Sequence, residues 1–342
     1  MPESKSLTVG KLGESGLLAR ILPRLQGSAA LVGPGDDAAL IASPSGSFVF
    51  TVDTLVENQD FRLRWPSGFE SSGFDVGWKS AAQNLSDVNA MGAYATAAVI
   101  SLTLPHETPV AWVEDLAEGF SSAIRELGAT RCAIAGGDLG RGSELSITAA
   151  VTGTLATENP VLRSGAKPGD IVAVNGVLGV AAAGLALLDS NIPVETWSEE
   201  QQEIVLGQRR PRPPLEAGPM AAQSGASAMM DISDGLFKDA QRLAISSDIE
   251  IQIHQEALNQ DLEQVLPVAR ALGVDPLNWV IGGGEDHGLL ATFPPQIKLP
   301  QGFRAVGSVH VAATNSGNDR VGLDGVKLSV SAGFDHFGDE AV

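Results

Sequence analysis

The sequence predicts an α/β protein built from α+β layers in two domains, and three observations support this. With 342 residues, the chain is long enough to form two hydrophobic cores. Its 44% hydrophobic content and 39 glycines are typical of an Ala/Gly-rich globular protein rather than a disordered one. The predicted order of elements in the first half is roughly β-β-α-β-α-β-β, which favours an α+β layer over a doubly wound sheet.

The first half is predicted to contain two long helices and four well-defined strands. An amphipathic helix at 13–26, ending near Pro23, and a glycine turn at 33–42 that enters a strand come before them. The G-G-D-L-G-R-G run is predicted to be a loop separating the last two strands. The two helices are Gly73–Met91 and Val110–Leu127, and the strands are Ser47–Leu55, Ala95–Leu104, Cys132–Ala135 and Leu145–Leu155.

A polar stretch rich in glycine and proline, residues 157–170, is the predicted domain boundary, which gives domains 1–156 and 157–342. In the second half, the R-R-P-R-P-P run at 209–214 predicts a stiff connection, because proline restricts the backbone. The other elements predicted there are the strands Ile171–Val174, 249–253 and Val306–Val311, the helix Gly179–Leu188 and a helix that ends near Leu272.

The stretch from Met229 to Asp239 is the predicted chemical centre. A buried strand end is followed by apolar residues at helical spacing, with Ser233 as a plausible N-cap and Asp234 in the first turn. Helix capping accounts for Asp234 but not for Asp231, which the strand would place at the same edge of the sheet. Two carboxylates with a hydroxyl between them suit Mg²⁺. A structural cap beside a solvated aspartate remains the alternative for this stretch alone.

Many acids share a setting at strand ends or glycine turns, flanked by glycine and apolar residues rather than lysine. Burying so many carboxylates together is costly unless cations neutralise them, so we expect a cluster of Mg²⁺ ions. Such clusters usually bridge phosphates, which favours phosphoryl transfer. The acids are Asp36, Asp37, Asp53, Asp87 (beside Asn84 and Ser86), Asp138, Asp231, Asp234, Glu285 and Asp286.

Several other chemistries and partners are disfavoured by the sequence. No P-loop, G-x-G-x-x-G or H-E-x-x-H motif occurs, and the five histidines lack metal-ligand spacing, so they are expected to be surface or packing residues. The net charge of −19 argues against nucleic acid and anionic membranes as partners. No apolar run approaches about 18 residues, and the N-terminus lacks a signal-peptide pattern. The single cysteine, Cys132, is expected to be buried, in a protein of the reducing cytoplasm.

Eight motifs, in a fixed order from about Gly13 to Phe337, carry a resemblance to a known family. The chain resembles the thiamine-monophosphate kinase family, which belongs to a superfamily with aminoimidazole ribonucleotide synthetase and selenophosphate synthetase. Any one motif is weak, but eight in order are specific. They are G-P-G-D-D-A-A-L, T-V-D-T-L-V-E, N-L-S-D-V-N-A-M-G-A, G-G-D-L-G-R-G, R-S-G-A-K-P-G-D, D-I-S-D-G-L-F-K-D, G-G-G-E-D-H and G-F-D-H-F.

The resemblance implies a two-domain fold, with an N-terminal mixed sheet with helices and a C-terminal α/β domain. It also implies a homodimer whose N-terminal sheets pack across the two-fold axis. The implied activity is phosphorylation of thiamine monophosphate to thiamine diphosphate by ATP as co-substrate, through direct in-line transfer, with several Mg²⁺ ions. No residue is assigned as a catalytic base, since the acceptor phosphate is already ionised near neutral pH.

Site residues carried over by motif fall into three groups. The ATP-contacting positions are Gly137, Asp138, Arg163 and Ser233, and the substrate-contacting positions are Asp60, Glu285 and Phe334. The Mg²⁺ ligands are Asp37, Thr51, Val52 (through its backbone carbonyl), Asp53, Asp87, Asp138, Asp231 and Asp234.

The chain departs from the family pattern at a few positions. Asp60 stands where the family commonly has a histidine that contacts substrate, so a contact with phosphate there would need a bridging Mg²⁺. Gly288 replaces a frequent glutamate, and Leu139-Gly140 replaces a polar pair. Two alternatives therefore stay open: a sister ATP-dependent synthetase or ligase, and a non-catalytic dimer that binds metal or nucleotide.

Overall fold

The computed structural model describes residues 30–32, 37–43, 46–313 and 319–327. The helix predicted at 13–26, most of the glycine turn, Asp36 and Phe334 lie outside these residues. Two sheets organise the described chain, one of six strands and one of seven. Within the described residues, no helix is long and apolar enough to cross a membrane.

The first sheet has the strand order β1-β2-β3-β6-β4-β5 and is antiparallel except for the β4–β5 pair. Helices α1 and α2 pack on one face of it, around Val49, Trp78, Phe120 and Val151. The elements are β1 (Ala30–Val32), β2 (Ala39–Ser43), β3 (Gly46–Val56), α1 (Gly73–Ala90), β4 (Ala93–Leu104), α2 (Val110–Glu126), β5 (Ala133–Arg141) and β6 (Ser146–Leu155).

Alternation along β3 decides which side chains face the helices. Val49, Thr51 and Leu55 are buried on the helix side, whereas Phe50 and Val52 are exposed on the other face. The side chain of Val52 therefore points away from the helices. Only its backbone carbonyl could bind a metal ion on the helix side.

The expected loop at G-G-D-L-G-R-G is wrong. Residues up to Arg141 continue strand β5, which pairs in parallel with β4. A side chain at Gly137 would meet the Ile100 carbonyl oxygen at 1.9 Å. This glycine therefore marks close approach of two strand backbones rather than a turn.

The burial expected for Cys132 is confirmed, and burial raises the pKa of its thiol to about 11.

The second sheet has the order β13-β12-β9-β11-β7-β10-β8, with β12–β9 as its parallel pair. Its strands are β7 (Ile171–Asn175), β8 (Ala228–Ile232), β9 (Ile249–Ile253), β10 (Gly288–Phe293), β11 (Arg304–Val311), β12 (Val321–Leu323) and β13 (Val326–Lys327). Its helices are α3 (Val180–Leu188), α4 (Glu199–Arg209), α5 (Ala217–Ser224), α6 (Leu236–Ser247), α7 (Asn259–Leu272) and α8 (Pro276–Gly282).

The proline-rich segment after α4 holds the second half against α1. Arg209 and Arg210 both donate to the buried carboxylate of Asp75, at 2.7 and 2.6 Å. Pro211 accepts a hydrogen bond from the Trp78 indole at 2.8 Å. Further support comes from guanidinium–ring stacking, of Arg209 on Phe69, Arg210 on Phe74 and Arg212 on Trp78. These contacts position α1, which carries several site residues.

Candidate active site

Strand β3, helix α1 and the end of strand β8 meet at one buried point between the two sheets. The Thr51 hydroxyl donates to Asp87 Oδ2 at 2.6 Å, which joins β3 to α1. The Ser86 hydroxyl donates to Asp231 Oδ2 at 3.2 Å, which joins α1 to β8 across 145 residues of sequence. Four side chains from three elements are thus fixed around one small volume.

Three carboxylates converge at this point. Asp37, Asp87 and Asp231 each offer an oxygen, and the three oxygens lie within 4.8 Å of one another. Burial, and then the charges of Asp53 and Asp231, raise the pKa of Asp87 well above its usual value. The pKa of Asp53 is raised by burial and by the charge of Asp231. This accumulated negative charge and the all-oxygen donor set fit a divalent cation of the Mg²⁺ type.

Arg163 contacts the carboxylate cluster directly. Its Nη2 and Nε atoms donate to Asp37 Oδ1 and Oδ2 at 2.9 and 3.2 Å. A two-point guanidinium contact of this kind is also the geometry that binds phosphate. The predicted ATP-contacting arginine therefore lies against a predicted metal ligand.

The turn between β8 and α6 differs from the sequence prediction. Ser233 is not the N-cap, because the helix begins at Leu236 after Gly235, whose φ of 111° only glycine adopts without strain. Asp234 instead pairs with Lys238 at 3.4 Å and with Arg242 at 2.5 Å. It is not part of the group of three converging carboxylates.

A buried acid that sequence reasoning missed holds this turn in place. Asp239 accepts from the Asp234 backbone N–H at 2.9 Å and pairs with Arg242 at 3.0 Å. Burial and the charge of Asp234 raise the pKa of Asp239 to about 7. The D-x-x-D-x-x-x-x-D spacing, from Asp231 through Asp234 to Asp239, is the signal that could have pointed to it.

The G-G-G-E-D-H segment forms the opposite wall of the site in a strained backbone. Glu285 and His287 have φ values of 67° and 52°, which are unusual for residues other than glycine. The backbone N–H of Glu285 donates to the Ser233 carbonyl at 2.7 Å, and a side chain at Gly284 would meet that oxygen at 2.6 Å. Close packing of the two turns therefore fixes where the side chains of Glu285 and His287 point.

His287 and Lys79 are site residues that the sequence did not reveal. His287 is buried, with Nδ1 3.4 Å from Asp231 Oδ2. Although burial alone would lower it, the Asp231 carboxylate holds the pKa of His287 above its usual value. Lys79 Nζ lies 2.6 Å from Glu285 Oε1. Lys79 is seven positions before Ser86, two helical turns away, so helical spacing could have identified it.

The remaining predicted residues lie elsewhere. Asp138 is exposed on β5 in register with Ser101, and so on the face of the sheet opposite Asp53. Its carboxylate and Gly137 are not brought to the acid cluster within one chain. The Asp60 carboxylate accepts from the Val56 N–H at 2.7 Å, in the turn after β3.

Asp286 was expected in the acid cluster, but the structure gives it other partners. Its carboxylate accepts from the backbone N–H groups of Gly179 and Ala181, at 2.5 and 2.8 Å, at the start of α3. Burial raises its pKa to about 7 despite these two donors. Its contacts are those of a helix-capping residue rather than a metal ligand.

Known proteins match this chain over nearly its whole length. Residues 35–155 match the family described as "AIR synthase related protein, N-terminal domain". Thiamine-monophosphate kinase of Mycobacterium tuberculosis is 40% identical over 98% of this chain and 95% of that protein. The chain belongs to the thiamine-monophosphate kinase family. The Escherichia coli thiamine-monophosphate kinase is 34% identical, over 95% of this chain and 98% of its own length.

A solved structure of a thiamine-monophosphate kinase family member has the same fold. The structure described as "AaThiL complexed with AMPPCP and TMP" matches with a TM-score of 0.83 and 31% identity, over 97% of this chain and all of that one. This confirms the α/β fold and the family assignment made from the eight motifs.

Proposed function

We propose that this chain is a Mg²⁺-dependent kinase that transfers the γ-phosphoryl group of ATP to thiamine monophosphate, giving thiamine diphosphate. The observation that carries the proposal is the convergence of Asp37, Asp87 and Asp231 beside Arg163, where strand β3, helix α1 and the end of strand β8 meet. The relatives named thiamine-monophosphate kinases supply the reaction class. The solved structure of a relative, described as complexed with AMPPCP and TMP, supports this pair of ligands.

The proposed chemistry is positioning and charge neutralisation. Asp37, Asp53, Asp87 and Asp231, with the Thr51 hydroxyl and the Val52 carbonyl, would hold the ions, and Asp234 would reach them from the β8–α6 turn. Bound Mg²⁺ supplies positive charge to the ATP phosphates. Arg163 binds phosphate oxygens with its two-point donor set, and Ser233 contributes at the same edge. The acceptor phosphate attacks in line without a general base, since it is already anionic.

The acceptor is proposed to bind on the side of Asp60 and Glu285, with Phe334 as an aromatic wall for its cationic thiazolium ring. Asp60 has the same charge sign as the acceptor phosphate, so it would contact that phosphate only through a bridging cation. This is the part of the site where the chain departs from its family.

A homodimer and a cytoplasmic location are part of the proposal. The outer face of the six-stranded sheet exposes Phe50, Val52 and Val99. A contiguous apolar surface of this kind usually packs against another protein surface. A second copy of the same face is the proposed occupant, and Gly137 and Asp138 lie at its edge. The single Cys132 is consistent with a reducing cytoplasm.

One assay separates this function from its two alternatives. ADP release is measured with thiamine monophosphate, with other phosphorylated metabolites and with no acceptor, each with Mg²⁺ or excess chelator. Release only with thiamine monophosphate and Mg²⁺ is expected. Release with a different acceptor indicates a sister synthetase or ligase. Binding of MgATP without release under any condition indicates a non-catalytic nucleotide-binding protein.

A further inference from the structure

A buried lysine on α1 has no role in the chemistry described so far. The Lys79 side chain is only 3% exposed, yet it carries a cationic ammonium group. Its Nζ contacts Glu285 Oε1 at 2.6 Å and the Asp60 backbone carbonyl at 3.1 Å. Placing an ammonium group out of water is costly unless it is paired. A packing role alone would be served better by an apolar residue.

Glu285 is held from two sides. Its backbone is in the left-handed region and is tied to the Ser233 carbonyl, so the direction of its side chain is set by the turn. Lys79 fixes Oε1, while Oε2 faces Gln208 Nε2 at the longer distance of 3.4 Å. The Glu285 side chain is 31% exposed, against 3% for Lys79. One carboxylate oxygen is thus locked, and the group remains accessible to a ligand.

The ion pair lies beside the phosphoryl-transfer centre. Glu285 is two positions before His287, and His287 Nδ1 lies 3.4 Å from Asp231 Oδ2. The Asp60 carbonyl that Lys79 binds belongs to another proposed acceptor-contacting residue. Lys79 therefore joins two segments, the turn after β3 and the turn before β10, that together form the acceptor side.

We propose that Lys79 is a positioning residue that orients Glu285, and that the pair determines how tightly the acceptor is bound. This inference rests on the proposed function. An ionised carboxylate held in one orientation accepts a hydrogen bond from an amino group, or faces a cationic ring, with little ordering cost on binding. The organic part of thiamine monophosphate contains both an amino group and a cationic ring. Lys79 acts through Glu285 and does not contact the transferred phosphoryl group.

The test is a double-mutant cycle on the full chain with Lys79→Met, Glu285→Gln and the combination. The KM for thiamine monophosphate, kcat and the Kd of Mg²⁺-AMPPCP are measured for each protein. Each single substitution is expected to raise KM by about tenfold to a hundredfold, as for loss of a charged hydrogen bond, with kcat and nucleotide Kd nearly unchanged. The double variant should be no worse than the more affected single variant. Arg125→Met, which removes an exposed ion pair on α2, serves as the control.

Other outcomes overturn the inference. A fall in kcat at unchanged KM in Lys79→Met indicates contact with the phosphoryl group instead. If the effects of the two single substitutions on KM simply add in the double variant, Lys79 does not act through Glu285. If Lys79→Met fails to fold, judged by loss of nucleotide-dependent thermal stabilisation, Glu285→Gln decides alone, and a wild-type KM there ends the proposal. Failure of the proposed function is separate, because the unmodified protein would then release no ADP with thiamine monophosphate.

Discussion

Arg163 and Asp37 form a two-point ion pair that links the segment after β6 to the start of β2. The guanidinium donates to both carboxylate oxygens, at 2.9 and 3.2 Å, and the Asp37 side chain is almost fully buried. A buried carboxylate needs a positive partner, and here an arginine supplies it. When metal and nucleotide bind, we expect Asp37 to exchange part of this contact for metal and Arg163 to exchange it for phosphate.

Replacing Arg163 by lysine tests the two-point contact. Lysine keeps the charge but presents a single ammonium group, so it cannot reproduce two parallel donors to one phosphate or carboxylate. We expect the rate of ADP release to fall at least about tenfold, with metal-dependent nucleotide binding weakened. Arg131→Lys, at an arginine that stacks on Tyr94 outside the site, is the control. Full activity of Arg163→Lys would show that charge alone is sufficient.

Asp87→Asn should separate metal binding from stability. Asp87 lies among acids, so removing its charge relieves repulsion and should leave the metal-free protein as stable as the wild type or more so. Turnover should fall by orders of magnitude, since a metal ligand is lost. Thermal melts with and without MgATP, beside initial rates, measure both effects. Near-wild-type rates would exclude Asp87 from the metal site, and the turnover of Asp231→Asn gives an independent second test of the metal ligands.

Asp234→Asn is expected to behave differently because of its partners. Its carboxylate pairs with Lys238 and Arg242, and asparagine would leave both cations without that charge. We therefore expect the metal-free variant to be less stable than the wild type by about 1 kcal/mol, with turnover also strongly reduced. Urea unfolding without metal gives the comparison. A variant more stable than wild type would indicate that repulsion from the other acids dominates at this position.

Asp75 predicts a pH-dependent contribution to folding. Although burial alone would raise it, Arg209, Arg210 and Ser72 hold the pKa of Asp75 below its usual value. The folded-state pKa is thus depressed, so the stabilisation is complete above the unfolded pKa of about 3.9 and is lost as the pH falls through the folded value. Asp75→Asn should lower the free energy of unfolding by about 3 kcal/mol at pH 7.

Urea denaturation from pH 7 down to pH 3 tests the Asp75 prediction. The difference between Asp75→Asn and the wild type should shrink below about pH 4, where the Asp75 carboxylate of the unfolded state begins to be protonated. A difference that stays constant over this range would mean that the ion pairs with the two arginines contribute nothing.

The proposed dimer surface is testable at Val99. Its side chain is 45% exposed on the outer face of the six-stranded sheet. A glutamate there would place a charge in the interface of both copies, so Val99→Glu should shift the protein to a monomer in sedimentation experiments. Val274→Glu, at an exposed valine in the second half, is the matched control. If Val99→Glu sediments like wild type, this face is not the interface.

The sequence by itself determined the main elements and predicted the three acids that converge. Hydrophobic periodicity located β3 and α1 to within one or two residues, because alternation and helical spacing are local properties. The acids Asp37, Asp87 and Asp231 were predicted from their setting beside glycine and apolar residues, and they converge. The informative signal was the absence of neighbouring lysines, because acids that cluster without lysine partners need cations to neutralise them.

Tertiary structure alone decided the contacts between distant segments. Lys79 and His287 belong to the site because α1 packs against the turns of the second sheet, which brings segments far apart in sequence into contact. Asp286 caps α3 rather than joining the acids, because the backbone donors of Gly179 and Ala181 lie nearer. The glycines of G-G-D continue a strand, since pairing with β4 outweighs their turn propensity. In each case, the deciding free energy comes from long-range packing and pairing, which local sequence cannot specify.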